Sequence, residues 1–415
     1  TNLCLKTFKK NLKIVNIETI PYAIPVKNFT DAYAGFTHSN AVLIKIHTDE
    51  GLVGIGEACA WEPEFYGETV ESIHTSINNY VSPIIMGQDP RNINKILQMV
   101  DKALARVTCV KEGIDLALFD LLGKILNVSV VTLLGGKFRD QIPIASEIGI
   151  DSPNEMAKSA EKVLQMGINV IKVKGSDDQN KDVDRIMAVR SAIGSEVLLR
   201  LDPNAAWDTA GTIKTMQKLE SCNLQLLEQP IPNWDYKGMA HIRKNISIPL
   251  MADESIWTPQ DAIKLYEYES CDYLNLKIAK TCGLSRGKKV ENVAEAIGLP
   301  CIVGTELEPG VSSIAKIHLA ASMAIHPLAS EFTELTQLDG SILDRPIEII
   351  NGCVTLPSGP GFGVNINDEA LEKFKSLNRN IDKKKISIIG DGLETDIAGC
   401  NTFGINTILI TSGIL

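Results

Sequence analysis

Apolar and polar positions alternate between residues 13 and 50, first in "KIVNIETIPYAIPV" and again in "AVLIKIHTDEG". A period of two sends alternate side chains to opposite faces, so both runs predict antiparallel strands, with the polar stretch "KNFTDAYAGFTHSN" as the loop between them. "GLVGIGEACAW" predicts a further short strand running into a loop. From about residue 68 to 126 the period lengthens, and "VKEGIDLALFDLLGKIL" spaces its apolar residues by three and four as a helix does. Strands followed by helices make the first third an α+β unit.

From about residue 142 the rhythm changes again. Short apolar runs end in polar residues and are each followed by a helical stretch: "VIKVKG", "VLLRLDPN", "LQLLEQP", "IPLMADES", "DYLNLKIAK" and "PCIVGTELE". Successive polar ends at Lys174, Asp202, Glu228, Asp253 and Lys277 lie 28, 26, 25 and 24 residues apart. A strand, a helix and two loops take about 25 residues, so this is a βα repeat. Continuously apolar strands belong to a parallel sheet covered on both faces, and the regular repeat favours a closed barrel over a doubly wound sheet. A Rossmann reading also lacks its glycine-rich first turn. The expected architecture is α/β, a (β/α)7-8 TIM-like barrel with an N-terminal α+β capping domain. The expected boundaries are 1–140 for the cap, 141–345 for the barrel, 346–378 for a return segment packing on the cap, and 379–415 for a separate tail.

Composition narrows the function classes. The net charge of −10 argues against a nucleic-acid partner. Nine cysteines, odd in number and without a CxxC pair, fit reduced thiols and a cytoplasmic location. No apolar run reaches the roughly 18 residues of a membrane span, so no membrane partner is expected. The start, "TNLCLKTFKKNLK", is basic but lacks the apolar stretch of a signal peptide, and Thr1 is not Met.

In a parallel barrel every strand opens at its C-terminal end on one face, where the chemistry is done. That face receives Lys172, Lys174, Asp202, Asn204, Glu228, Asp253, Glu254, Lys277 and Glu306. Asp202, Glu228 and Asp253 come from consecutive strands and would converge as oxygen ligands of one hard cation, Mg2+. Zinc is disfavoured because no His or Cys sits at these ends. Lys174 precedes the acids and Lys277 follows them. Lys172 and Lys174 share one face of a strand, about 6.6 Å apart, where two charges repel by roughly 2.5 kcal/mol at an effective dielectric near 20. That repulsion is expected to lower the pKa of Lys174 by about 2 units and free an amine for proton abstraction. Trp207 and Trp234 read as loop packing, and His318, on the apolar "IAKIHLAASMA", as a core or helix-surface histidine.

In order and at this spacing, "IKVKG", "RLDPNAAW", "LLEQP", "MADES", "YLNLKIAKTCGL" and "IVGTELEPG" resemble the muconate-lactonizing-enzyme subgroup of the enolase superfamily, over residues 13–375. The superfamily's base and Mg2+ chemistry is a known pattern. The resemblance implies an isomerase, a cycloisomerase or racemase/epimerase, that removes the α-proton of a small carboxylate through a metal-stabilised enolate. It implies Asp202, Glu228 and Asp253 as Mg2+ ligands and Lys174 and Lys277 as the acid/base pair, with Lys172 as electrostatic helper. Asn204, Glu254, Glu306 and Glu331 are expected to bind substrate or support the metal, and the assembly to be a homo-oligomer. The loops around "VKNFTDAYAGFTHSN" and "EACAWEPEFYGE" resemble the capping loops that close over substrate. Here "GTELE" carries no His, which sets the chain apart from the mandelate-racemase subgroup. Glu331-Phe332-Thr333 lacks the second acid of dipeptide epimerases, and Glu331 matches the glutamate of muconate cycloisomerases. A dehydratase of the same superfamily is the alternative, and a non-catalytic scaffold a distant one.

The tail "IIGDGLETDIAGCNTFGINTILITSG" resembles the last segment of haloacid-dehalogenase-type phosphatases, with Asp391 and Asp396 in the metal-holding positions. The nucleophilic Asp-x-Asp of that family has no counterpart at a strand end. Asp182-Val-Asp184 falls in a polar helical stretch, so a phosphatase is not expected.

Overall fold

A computed structural model describes residues 11–61, 63–375, 387–390 and 406–409. The chain divides after Phe374 into two compact units.

The first unit opens with three antiparallel strands in the order β1 (Ile14–Thr30), β2 (Gly35–Thr48) and β3 (Val53–Cys59). The expected loop between the first two is mostly strand. Pairing runs to Thr30 opposite Gly35, after a bulge between Pro25 and Phe29, and only residues 31–34 turn. The physical reason is aromatic burial: Phe36 stacks on Trp61 at 3.9 Å between ring centroids, and Phe29 lies 6.2 Å from the same ring. The helix Thr108–Leu126 lies across this sheet. A Cβ on Gly56 would stand 2.1 Å from the carbonyl oxygen of Gly113, so glycine at both positions lets helix and strand meet backbone to backbone.

The barrel strands are β4 (Gln141–Ile148), β5 (Val170–Lys174), β6 (Leu198–Asp202), β7 (Leu226–Glu228), β8 (Leu250–Ala252), β9 (Tyr273–Leu276), β10 (Cys301–Val303) and β11 (Ser330–Glu331). They form one parallel sheet in the order β10-β9-β8-β7-β6-β5-β4-β11. The seam between β10 and β11 is bridged by the Val303 amide donating to Ser330 Oγ at 2.9 Å, so the barrel is nearly closed. Alternation along each strand builds the interior in layers. Leu226, Met251 and Ile302 pack together low in the barrel, with Tyr273 against them. Two residues on, Glu228, Asp253 and Asn275 stand above them on the same face.

Beyond the barrel, β12 (Cys353–Thr355) pairs antiparallel with β4. The Phe362 amide then donates to Asp120 Oδ1 on the cap helix at 2.9 Å. In the second unit β13 (Ser387–Gly390) and β14 (Asn406–Leu409) pair in parallel. Asp391 and Asp396 lie outside the described residues. Asp182 and Asp184 lie on the helix Gln179–Ile193. Among the described residues no helix is long and apolar enough to cross a membrane.

Candidate active site

Lys172, at the fourth-last position of "IKVKG" on β5, is fully buried at the centre of the strand-end charges. Its ammonium lies 2.7 Å from Glu147 Oε1, 2.8 Å from Glu331 Oε1, 2.9 Å from Glu228 Oε2 and 3.4 Å from Asp202 Oδ2. Lys174, two residues on, donates to Asp202 Oδ2 at 2.8 Å. Across the barrel, Lys277 Nζ faces Asp253 Oδ2 at 2.9 Å and Glu306 Oε1 at 3.3 Å. Lys280, from the turn after β9, pairs with Asp253 Oδ1 and donates to the Asp253 carbonyl at 2.5 Å. Asn275 bridges two acids through Nδ2, to Glu228 Oε1 at 2.7 Å and Glu331 Oε2 at 3.0 Å. A Cβ on Gly304 would stand 2.0 Å from Asn275 Oδ1, so glycine at the end of β10 makes room for this bridge.

The remaining expected site residues are also here, in unequal positions. Asn204, held at φ 47°, donates through its amide to Asp202 Oδ1 at 2.9 Å and through its side chain to Glu254 Oε1 at 3.2 Å. Glu254 also receives the Tyr33 hydroxyl at 3.1 Å, and Glu306 receives the Tyr66 hydroxyl. Glu331 sits lower, fully buried against Lys172 and 3.9 Å from Arg200 Nη1. Thr333, which stands where a second acid would be, turns its hydroxyl inward to accept the Glu147 amide at 3.0 Å. Gln229, at φ 22°, fixes the loop after β7. Its Oε1 accepts the amides of Asp253 and Ser255 at 3.1 and 3.2 Å. Over the acids lies a half-buried aromatic roof from the cap turn 31–34, the short helix Pro63–Tyr66 and the loop after β8. Phe65 is 5.1 Å from Trp257 and 5.9 Å from Tyr33, and Tyr66 is 5.7 Å from Trp257. Trp207 is loop packing, its Nε1 donating to the Ser176 carbonyl, and Trp234 is exposed.

Charge decides the titration. Burial alone would lower the pKa of Lys174, but Asp202 and Glu147 outweigh it and raise it above the ordinary lysine range. The expectation that Lys172 would depress it is thereby corrected. Lys172 does oppose the rise, but its repulsion is smaller than the attraction of the two carboxylates. Lys172 is raised too, with burial outweighed by Glu147, Glu228, Glu331 and Asp202. Burial raises the Glu228 carboxyl well above its usual range, and Glu331 raises it further against Lys172. Burial and Asp253 bring Glu254 up to about 7. Asp202 and Asp253 go the other way: burial opposes their ionisation, and Lys174 and Lys277 respectively overcome it.

Seven carboxylates (Glu147, Asp202, Glu228, Asp253, Glu254, Glu306, Glu331) and five cations (Lys172, Lys174, Lys277, Lys280, Arg200) are thus buried together. The excess of acid groups over cations and the all-oxygen donor set suit a hard divalent cation. Among the described residues none donates to Oδ1 of Asn204 or to Oε2 of Glu254 and Glu306, so acceptors are also in excess there. Among the described residues no three of His, Cys, Asp and Glu stand together as a metal-holding group. Asp202 and Glu228 share Lys172, Asp202 also pairs with Lys174, and Asp253 pairs with Lys277 and Lys280.

The family model described as "Enolase C-terminal domain-like" matches residues 155–370, and "Mandelate racemase / muconate lactonizing enzyme, N-terminal domain" matches 15–135. A haloacid-dehalogenase-like hydrolase model matches 365–415. The chain is 32% identical to N-succinyl-L-Arg/Lys racemase of Bacillus cereus, over 88% of this chain and 98% of that one. It is 33% identical to L-Ala-D/L-Glu epimerase of Clostridium acetobutylicum, over 82% and 96%. The solved 2-chloromuconate cycloisomerase from Rhodococcus opacus superposes with a TM-score of 0.85 at 30% identity, covering 88% of this chain and 99% of that one. A dipeptide epimerase from Cytophaga hutchinsonii, solved with Mg and D-Ala-L-Val, gives 0.83 at 27% identity, covering 87% and 98%. This chain belongs to the mandelate racemase/muconate lactonizing enzyme family of the enolase superfamily, and it is an isomerase.

Proposed function

We propose that the chain is a Mg2+-dependent isomerase that moves the α-proton of a small carboxylate between Lys174 and Lys277, with racemisation or epimerisation as the net result. One observation carries this reading. In the strand order, β5 and β9 are four places apart in an eight-stranded barrel, so the two lysines rise from opposite walls. Each is nearly buried and each is anchored on a different acid of the central group. A group exchanging the two hands of a carbon needs one proton carrier on each face, and this pair supplies them.

Asp202, Glu228 and Asp253 are the residues that would hold the cation. Bound there, it would neutralise the substrate carboxylate and stabilise charge developing on its oxygens. Lys174, once it has released its own proton to solvent, takes the α-proton on one face, and Lys277, as an ammonium, delivers one on the other. The lysine that has given up its proton is then the base for the reverse direction, so one pair serves both enantiomers. Asp202 and Asp253 hold the ammonium groups in place, and Lys172 keeps the acids below them from repelling one another. Cycloisomerisation needs only one proton transfer.

Incubation with Mg2+ in deuterated water and a panel of α-substituted carboxylates reads both mass and chirality. Lys174→Ala and Lys277→Ala are each expected to lower racemisation by about 10³-fold or more, and chelation to abolish it until Mg2+ is restored. Full turnover to a cyclised product in either variant would replace the two-base reading with the one-base cycloisomerase.

A further inference from the structure

We infer that Asp115, on the cap helix, is a positioning residue for Lys277: it holds the turn that sets this lysine against the α-carbon. This rests on the two-lysine reading above and gives the cap a share in one half of the reaction. Lys277 follows β9 directly and opens a tight turn. Its own carbonyl accepts the Thr281 amide at 3.2 Å, and the Ile278 carbonyl accepts the Gly283 amide at 2.7 Å. The turn closes through two residues in the left-handed region, Cys282 at φ 60° and Gly283 at φ 100°. A non-glycine residue persists there only where its surroundings hold it.

One restraint comes from inside the barrel and another from the cap. Inside, Lys280 donates to the Asp253 carbonyl at 2.5 Å and to the Asn275 carbonyl at 3.2 Å. Outside, the helix Leu284–Ala296 starts on Gly283, which has no side chain to satisfy its first amides. Asp115 does so from the cap. It is fully buried, its Oδ2 accepts the Ser285 amide at 3.0 Å, and its Oδ1 accepts the Ser285 hydroxyl. The approach is close enough that a Cβ on Gly283 would stand 2.4 Å from Asp115 Oδ2. Lys174 is held differently. After β5 the Gly175 amide donates to the Asp202 carbonyl at 2.8 Å and the Ser176 amide to Asp182 Oδ2 at 2.8 Å, both within the barrel. Loss of Asp115 therefore disturbs one lysine and spares the other, whereas a contact that served only the fold would affect both alike.

The test offers the L and D forms of each panel member, N-acetylalanine among them, separately to the full chain with Mg2+ in deuterated water. It reads kcat for α-deuterium exchange from each hand, and Lys174→Ala and Lys277→Ala show which hand each lysine serves. Asp115→Ala is expected to slow exchange about 10-fold or more on the hand served by Lys277 and less than about 3-fold on the other. Ser285→Ala keeps the carboxylate and loses only the hydroxyl, so it stands in should Asp115→Ala not fold, and it is expected to slow the Lys277 hand about 3-fold. Backbone amide exchange over residues 281–287 needs no substrate and is expected to be faster in both variants. Equal losses on the two hands, or none, overturn the inference. So does an unequal loss while these amides exchange at the wild-type rate, because Asp115 would then not act through the turn. A loosened turn in Asp115→Ala, with no α-deuterium exchange by the wild type on any substrate, would leave Asp115 holding the turn and remove the two-lysine reading instead. Neither a loosened turn nor α-deuterium exchange removes both.

Discussion

At the strand ends five cations answer seven carboxylates. At the seam between the cap sheet and the helix Val311–Ser322, one lysine, Lys316, answers four: Glu57, Glu112, Glu308 and Glu334. Lys316 lies 2.7 Å from Glu308 and 2.9 Å from Glu334. The other two acids are served by neutral donors. Glu57 Oε2 takes the Tyr22 hydroxyl at 2.5 Å and the Val311 amide at the helix start at 2.7 Å, and Glu112 takes the Ser312 hydroxyl at 3.0 Å. Burial pushes Glu57 up to about 7 and Glu112 well above its usual range. Raised carboxyls occur in both places, Glu57 and Glu112 at the seam and Glu228 and Glu254 at the strand ends, but only the strand ends add a set of ammonium groups under a half-buried roof. Buried charge alone does not mark an active site. What sets the strand ends apart is a pair of lysines on opposite walls, anchored on Asp202 and Asp253 beneath half-buried aromatic side chains.

The largest expected effect tests that contrast directly. Lys172→Met leaves Glu147, Glu228 and Glu331 without their shared partner, and the expected loss of stability is about 3–5 kcal/mol. Lys316→Met strands two acids in a cluster already holding protons, and the expected loss is about 1–3 kcal/mol. Urea denaturation at pH 7 with a chelator present keeps bound metal from masking the difference. Equal losses would mean that the two clusters are the same kind of structure.

The seam has its own signature in pH. A carboxyl at about 7 in the folded chain and near 4.5 unfolded keeps a proton that the unfolded chain releases in that window. The folded state therefore binds more protons there, and stability falls as pH rises from about 4.5 to about 7. The groups facing Glu57 are Tyr22 and the amides of Val311 and Ser312, which favour its anion, and Glu308, which opposes it. Glu57→Gln should remove a fall on the order of 2–3 kcal/mol. The gap between variant and wild-type unfolding energies is expected to widen in the variant's favour from pH 5 to pH 8. A constant gap would show that Glu57 is ionised throughout.

The same contrast explains what could be read before the fold was known. Each parallel strand must end on one face, so Lys174, Asp202, Glu228, Asp253 and Lys277 announce themselves by spacing. The layer beneath was also legible in part, because a period of two places Arg200 under Asp202 and Asn275 under Lys277 on the same inner face. Glu147 was hidden because β4 begins the repeat and has no earlier strand to set its phase. Lys280 comes from a turn, Tyr33 and Trp257 from loops, and Phe65 and Tyr66 from the single helical turn Pro63–Tyr66, all too short for periodicity to report direction. The titration of Lys174 was misjudged because strand geometry shows its like-charged neighbour, while the carboxylates that overrule it come from other strands. The seam acids lie far apart in sequence and meet only when cap and barrel pack.

His318 supplies the smallest effect and a control for both clusters. It is fully buried, and burial lowers it to about 4, so the ring is neutral and each nitrogen has one role. Nδ1 accepts the Val131 amide at 3.1 Å, which leaves Nε2 to donate to the Phe362 carbonyl at 3.2 Å. The ring thus ties the segment after the cap helix to the return segment and touches none of the strand-end charges. His318→Ala frees one buried donor and one buried acceptor, for an expected loss of about 1–2 kcal/mol in urea. The kcat for α-proton exchange is expected to stay at the wild-type value where the variant is folded. A fall in kcat without a matching loss of stability would mean that packing between cap and barrel sets the geometry of the two lysines, and the division between a structural seam and a chemical strand end would no longer hold.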